Sequence, residues 1–143
     1  MSRGTTVWLT GLSAGLGFSR ADRDTHVRRV GFVAELLAQH GVLALVPVIA
    51  PYAATRDEVR AQHDAHGTSY LDVHVATPLA ECIRRDTKGL YARAAAGALA
   101  AMTGVDDPDE EPDKPDLRLD TTGSDVATAA RRVMDLLIER GVA

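Results

Sequence analysis

The chain has 143 residues, of which 45% are hydrophobic and 25% are charged, the proportions of an ordinary soluble globular domain. At this length a single domain (1–143) can bury a core without disulfides or a structural metal. Sixteen Lys and Arg against twenty Asp and Glu give a net charge of -4, so no overall basic field attracts nucleic acid or an anionic membrane. The sequence shows neither an apolar signal core nor an apolar run of roughly 20 residues, which predicts a cytoplasmic protein without a membrane span.

The chain alternates strand and helix patterns. The first five predicted elements are a strand (6–10), a helix (22–39), a strand (42–49), a helix (56–66) and a strand (69–75). The run 42–49 is almost wholly apolar, which predicts a central strand buried on both faces and bent near Pro47. Thr55 is the predicted cap of the second helix.

The second half of the chain continues the alternation after a long loop. Its predicted elements are two short helices (79–85 and 88–96), a strand (116–120) and a closing helix from residue 126 that Ser124 caps. The acidic, proline-rich stretch 103–115 is a surface loop, either a lid or a solvated connection. Strands that alternate with helices predict an α/β domain with a parallel sheet, which binds ligands at the carboxyl ends of its strands.

Two groups of residues near the first strand could bind phosphate. The turn from Gly11 to Gly17 occupies the position of a phosphate-binding loop, but it contains no Gly-Lys-Ser/Thr and so lacks the lysine charge and the magnesium-binding hydroxyl. Arg23 and Arg28 near the start of the long helix can hold phosphate or sulfate, with Phe18 nearby to stack on a base. The alternative is Asp–Arg pairing on a solvated helix face.

Two further groups follow later strands. Tyr52 and Arg56 come after the strand 42–49, at its carboxyl end. The basic break 84–91, which contains Lys88, is typical of a loop that closes over transferring phosphates, although a surface loop accounts for it equally.

The sequence supports neither a metal site nor a disulfide. His63 and His66 are three residues apart on a predicted helix, but no Cys or further His is spaced to complete a site, so we assign no metal. The single Cys82 lies in a helical stretch and is predicted to be a buried thiol in a reducing compartment.

Seven motifs in this order resemble the adenylylsulfate kinases, and they cover nearly the whole chain. They are VWLTGLS (7–13), LGFS (16–19), DR (22–23) with VRR (27–29), IAPY (49–52), DTKGLY (86–91), TGVDDP (103–108) and LRLDT (117–121). The resemblance implies a three-layer P-loop NTPase-like fold with helices on both faces of a parallel sheet. It also implies ATP-dependent phosphorylation of adenosine 5′-phosphosulfate (APS) at its 3′-hydroxyl, with Mg²⁺, to give PAPS in sulfate activation.

The resemblance also implies roles for individual residues. On the sulfonucleotide side, Phe18 stacks on the adenine, Arg23 and more weakly Arg28 hold the phosphosulfate, Ile49 and Tyr52 border the substrate, Arg56 supports this loop, and Met102 replaces a second stacking Phe. In the lid, Lys88 neutralises phosphate charge while Gly89 and Leu90 contact adenine. Gly11 and Ser13 are the remnant of the phosphate loop. A homodimer and an association with ATP sulfurylase are further implications.

The sequence departs from the family between Ser13 and Ala14. The family pattern continues there through Gly-Ser/Ala-Gly-Lys-Ser/Thr, a helix, a strand and Asp-Gly-Asp-Asn-x-x-Arg, and none of these is present. Either the working enzyme has a segment that this sequence lacks, or the protein is a non-catalytic pseudokinase that binds the sulfonucleotide without productive ATP binding. A degraded relative that only folds or dimerises is a third interpretation. Asp109 also stands where the family has Tyr.

Overall fold

A computed structural model of the protein describes residues 4–11, 19–98 and 108–142. Ser13, Phe18 and Met102 therefore lie outside the described residues. The strands are β1 (Thr5–Gly11), β2 (Ala44–Pro47), β3 (Ser69–Val75) and β4 (Leu117–Leu119). The helices are α1 (Arg20–Gln39), α2 (Ala53–His66), α3 (Leu79–Arg85), α4 (Leu90–Ala95) and α5 (Val126–Glu139).

The four strands form one parallel sheet in the order β2-β1-β3-β4. β1 pairs with β3 along its whole length, from Thr5 opposite Ser69 to Gly11 opposite Val75. Its other side pairs with β2, from Thr6 opposite Ala44 onward. Because parallel neighbours need crossover connections, helices cover the faces of such a sheet. The predicted parallel α/β architecture is confirmed.

Two hydrophobic clusters hold the helices against opposite faces of the sheet. On one face α1 and α2 cover side chains of β1, β2 and β3, and this cluster contains Trp8, Val27, Ala34, Ala44, Val46, Ala50, Val59 and Tyr70. On the other face α5 packs on β1 and β3 through Val7, Leu71, Val73, Leu136 and Leu137. Successive residues of a strand point to opposite faces, which is why Val7 and Trp8 belong to different clusters.

The prediction of a central strand over 42–49 was wrong. β2 pairs with β1 alone among the described strands and forms an edge of their sheet. Its residues alternate, so Ala44 and Val46 are buried while Leu45 is 61% exposed. An apolar run does not by itself distinguish a strand buried on both faces from an edge strand that leaves apolar side chains uncovered. Pro47 is the last residue of the strand, and an edge strand tolerates proline because its nitrogen can face away from the paired neighbour.

Two predicted helix caps were also wrong. α2 starts at Ala53, before Thr55, whose hydroxyl instead donates to Asp24 Oδ1 on α1 at 2.5 Å. α5 is capped by Asp125, whose carboxylate accepts from the Thr128 N–H, and not by Ser124. Thr55 binds a carboxylate 31 residues away, which spacing cannot reveal, whereas the residue next to Ser124, also a good capping residue, takes the N-cap position of α5.

The remaining elements agree closely with expectation. α1 starts two residues early, with Ser19 as its N-cap, and the second short helix is trimmed to α4. The prediction of a buried Cys82 thiol was wrong, since Cys82 is only partly buried on α3, a short helix with every residue at least partly exposed. In the part of the chain that the structure describes, no helix is long and apolar enough to cross a membrane.

The close approach of α1 to α2 at Gly31 leads to a first prediction. A Cβ at this buried position would lie 2.7 Å and 2.8 Å from the two methyl carbons of Val59. We expect Gly31→Ala to lower the free energy of unfolding by about 1–3 kcal/mol, despite the better helix propensity of alanine. Urea unfolding measures the change. Thr25→Ala, at an exposed position of α1, is the control and should be neutral; an unchanged midpoint for Gly31→Ala would contradict the close contact.

The buried His63 leads to a second prediction. Its Nδ1 lies 2.8 Å from the Val59 carbonyl oxygen and its Nε2 lies 3.0 Å from Thr6 Oγ1, and burial lowers the pKa of the ring below its usual value of 6.5. Below about pH 6.5 the unfolded chain therefore binds a proton that the folded chain does not. Stability should fall as the pH drops from 6.5 towards the folded-state pKa.

Urea unfolding between about pH 7.5 and about pH 5.5 tests this dependence, because this range extends about one unit on either side of the usual histidine pKa. We expect His63→Gln to flatten the decline and His26→Gln, an exposed control on α1, to preserve it. Equal slopes for all three proteins would show that His63 does not link protons to folding.

Candidate functional site

The site forms where the chain leaves β2 and enters α2. The Val48 N–H donates to the Leu9 carbonyl at 3.1 Å, which extends the contact with β1 beyond the end of β2. Ala50, Pro51 and Tyr52 are then buried before α2 begins at Ala53. We call residues 48–52 the strand-end loop. It lies at the carboxyl edge of the sheet, where parallel α/β proteins bind ligands.

The first turn of α1 packs beside the strand-end loop. The Arg20 guanidinium carbon lies 4.2 Å from the centre of the Tyr52 ring, a cation–π contact. Arg23, on the same turn, is buried to 7% exposure. Thr55 binds Asp24 as described, so α1 and α2 are joined by a hydrogen bond next to this group. The structure thus gathers two of the predicted substrate residues, Arg23 and Tyr52, at adjoining elements.

The buried Arg56 guanidinium donates hydrogen bonds to two backbone carbonyl groups. Its side chain is 5% exposed, and its guanidinium donates to the Ala50 carbonyl at 2.6 Å and to the Glu110 carbonyl at 2.5 Å. A buried guanidinium is costly unless its donors are satisfied, and these two carbonyl groups supply acceptors. Arg56 therefore joins the strand-end loop to the end of the acidic loop, which fits the supporting role implied for it.

Residues 108–111 form a strap across the strand-end loop. The Glu110 N–H donates to the Pro51 carbonyl at 2.8 Å, and the Glu110 carboxylate accepts from the Ala53 N–H at 2.7 Å. Asp109 beside it is partly buried, and this burial raises the pKa of its carboxyl while the Arg56 charge opposes the rise. This part of the acidic loop is docked on the protein, unlike the solvated connection that the sequence allowed.

Arg28 lies further along α1 and forms an ion pair with α2. Its Nε donates to Glu58 Oε2 on α2 at 2.6 Å, and both side chains are about half exposed. The hydrogen bond raises the pKa of Arg28 and lowers the pKa of Glu58. Arg28 thus pairs with a carboxylate, as the alternative interpretation of these arginines allowed. The partner, however, lies on α2 and not on the same helix.

Lys88 is exposed in a tight turn between α3 and α4. The turn closes through the Gly89 N–H, which donates to the Asp86 carbonyl at 2.9 Å. The Asp86 carboxylate accepts from the N–H groups of Tyr91 and Ala92 at 3.1 Å and 3.0 Å, and these backbone hydrogen bonds lower its pKa. The turn is preformed, and it presents a cation at its surface.

The helix before this turn is stabilised by a second cluster of charges. Glu81 accepts hydrogen bonds from Arg84 and Arg85, which lower its pKa to about 2. Arg85 also donates to Thr121 Oγ1 and to the Thr121 carbonyl, just after β4. The basic break is therefore anchored beside the sheet through Arg85, which bonds to Thr121 just after β4.

Two polar residues at the site were not predicted from sequence. Thr10 is buried near the end of β1, and His74 is opposite it in β3. Burial lowers the pKa of His74, which favours the neutral ring. Strand alternation places both on the face that α1 and α2 cover, and that alternation is the signal that could have identified them.

The remaining predicted site residues lie in three different parts of the fold. Gly11 ends β1, Ile49 is half-buried in the strand-end loop, and Leu90 begins α4. Most of the first turn lies outside the described residues, and its sequence lacks Gly-Lys-Ser/Thr. Within 4–11, 19–98 and 108–142, no three His, Cys, Asp or Glu side chains form a group that could hold a metal ion.

Known proteins resemble the chain over nearly its whole length. It is 47% identical over 133 residues to an adenylyl-sulfate kinase of Myxococcus xanthus, a match that covers 93% of this chain and 72% of that protein. It is 51% identical over 133 residues to the bifunctional enzyme NodQ of Azospirillum brasilense; the match covers 93% of this chain but only 21% of NodQ. The chain thus spans about a fifth of NodQ.

The fold is shared with a solved kinase. The Mycobacterium tuberculosis APS kinase CysC, in complex with AMPPNP and APS, superposes with a TM-score of 0.86 at 36% identity, covering 96% of this chain and 99% of that chain. The sequence profile of the adenylylsulphate kinases matches residues 3–120. The chain belongs to the adenylylsulphate kinase family.

Proposed function

We propose that this protein transfers the γ-phosphoryl group of ATP to the 3′-hydroxyl of adenosine 5′-phosphosulfate. The observation that carries the proposal is the position of Arg23 and Tyr52 on adjoining elements, the first turn of α1 and the strand-end loop, at the carboxyl edge of a parallel sheet in a chain of this family. The solved M. tuberculosis kinase, which holds APS together with an ATP analogue, supports the choice of substrates.

The sulfonucleotide would bind between the first turn of α1 and the strand-end loop. Arg23 is the proposed ligand of the phosphosulfate, because a guanidinium binds such oxyanions with two parallel hydrogen bonds. Ile49 and Tyr52 border the substrate on the other side. Phe18 and Met102, which lie outside the described residues, are the proposed adenine contacts.

Arg28 is the weaker member of this set. Its guanidinium already binds Glu58, and any bond to the sulfonucleotide would have to compete with that ion pair. Arg56 acts on the loop and not on the substrate, because its donors bind backbone carbonyls. We assign the direct contact to Arg23, because the family resemblance implies this role and Arg23 lies on the first turn of α1, beside the strand-end loop.

The lid turn would supply positive charge to the reaction. The 3′-oxygen of APS forms a bond to the γ-phosphorus as the bond to the bridging oxygen of ADP breaks, and the hydroxyl proton is released. Charge accumulates on the transferring phosphoryl oxygens during this step. Lys88, exposed on a preformed turn, is the proposed lid cation, and Gly89 and Leu90 are the proposed contacts to adenine.

Phosphoryl transfer from ATP would also require groups that bind magnesium. Magnesium would neutralise phosphate charge, but the described residues contain no cluster that fits it, and the sequence lacks the hydroxyl that holds it in P-loop enzymes. We therefore assign the metal no ligand on this chain. The matched M. xanthus kinase contains sequence without a counterpart here, since the match covers 72% of its length.

The assembly and location of the protein stay predictions. The family resemblance implies a homodimer and an association with ATP sulfurylase, and the composition suits the cytoplasm. Size-exclusion chromatography with light scattering would distinguish a dimer from a monomer of 15.2 kDa.

The proposed activity can be tested on a sample whose intact mass is first shown to be 15.2 kDa. With ATP, magnesium and APS we expect ADP release that depends on APS and yields a 3′-phosphorylated product. Calorimetry with APS alone should show binding. Binding without turnover would contradict the kinase and identify a pseudokinase, whereas no binding of either nucleotide would identify a degraded relative.

Replacement of the lid cation gives a specific prediction. Lys88→Ala should lower kcat about 100-fold by removing charge that opposes the transferring phosphoryl group, and Lys88→Arg should recover part of the loss. Binding of APS should change little. Lys114→Ala, which removes an exposed lysine of the acidic loop, is the matched control. An equal effect of both alanine variants on kcat would exclude a special role for Lys88.

A further inference from the structure

Glu110 is held at the junction of two distant segments. Its carboxylate accepts the Ala53 N–H from 57 residues away, its own N–H donates to Pro51, and its carbonyl accepts from Arg56. One residue of the strap therefore makes three hydrogen bonds to residues 51–56.

The start of α2 depends on a side chain from outside the helix. The first N–H groups of a helix have no partner within it, and they are normally satisfied by the side chain of the N-cap residue. The N-cap here is Tyr52, whose side chain makes no capping hydrogen bond. The Glu110 carboxylate takes over this role, and its negative charge also suits the positive end of the helix dipole.

The capped position adjoins the proposed substrate site. Tyr52 immediately precedes Ala53, and its ring lies beneath Arg20 of α1. Glu110 thus holds the start of α2 and, through its bond to Pro51, the strand-end loop next to this ring.

We propose that Glu110 is a positioning residue, which holds the strand-end loop and Tyr52 in the conformation that binds the sulfonucleotide. This inference rests on the proposed function, because it concerns the same site. Without the carboxylate, the Ala53 N–H loses its partner and the loop samples other conformations. Binding of the sulfonucleotide must then also order the loop, and this cost lowers the affinity.

The test compares three variants with the wild-type chain. Glu110→Ala removes the acceptor, Glu110→Gln retains a side-chain oxygen, and Glu111→Ala is the control on the same strap. Glu111 pairs only with Arg118 at the surface, at 3.4 Å, among the contacts described. Calorimetric titration with APS gives the Kd well below the thermal midpoint of each variant, and amide hydrogen exchange reports protection at Ala53.

We expect Glu110→Ala to weaken APS binding about five-fold and to accelerate exchange at Ala53, since one capping hydrogen bond is lost. Glu110→Gln should restore most of the affinity and protection, and Glu111→Ala should match the wild type in both. Faster exchange at Ala53 with an unchanged Kd would overturn the inference by leaving Glu110 a purely structural role. A wild-type chain that does not bind APS would overturn the proposed function, and this inference with it, whatever the exchange data show.

Discussion

Parallel pairing of β1 on both of its sides is the constraint on which the rest of the structure depends. Because β2 and β3 run in the same direction as β1, the segments that follow all three strands emerge at one edge of the sheet. Residues far apart in sequence, such as Arg23, Tyr52 and His74, consequently lie on neighbouring elements. The helices occupy the faces because parallel strands cannot be joined by short turns.

Hydrogen bonds between a buried charge and backbone groups then hold the strand-end loop at that edge. Arg56 is a charge withdrawn from water, and its burial is tolerated only because carbonyl oxygens from two segments receive its donors. The same two segments exchange hydrogen bonds through Glu110. The rigidity of the strand-end loop therefore comes from contacts of long sequence separation, while the Lys88 turn is built from residues within one short stretch.

Local sequence patterns predicted the helices and strands, but they did not predict the contacts between residues far apart in the chain. The helical spacing of Val27, Ala34 and Ala38 was enough to identify α1, and family motifs identified Arg23 and Lys88 as candidates. Neither pattern could indicate that Glu110 caps a helix 57 residues away, since no period or spacing links the two. The edge position of β2 was missed for a related reason, because an apolar sequence fits a strand with one neighbour as well as a strand with two.

The exposed side of β2 has a consequence for how the protein behaves in concentrated solution. A strand edge that pairs on one side is a template on which another chain can add a strand, and natural proteins guard such edges with charges or proline. Between Val42 and Val46 the sequence has no charge, and the Leu45 side chain is exposed. Among the described residues of this edge, Pro47 is the feature that opposes such pairing, because a proline offers no N–H to an added strand.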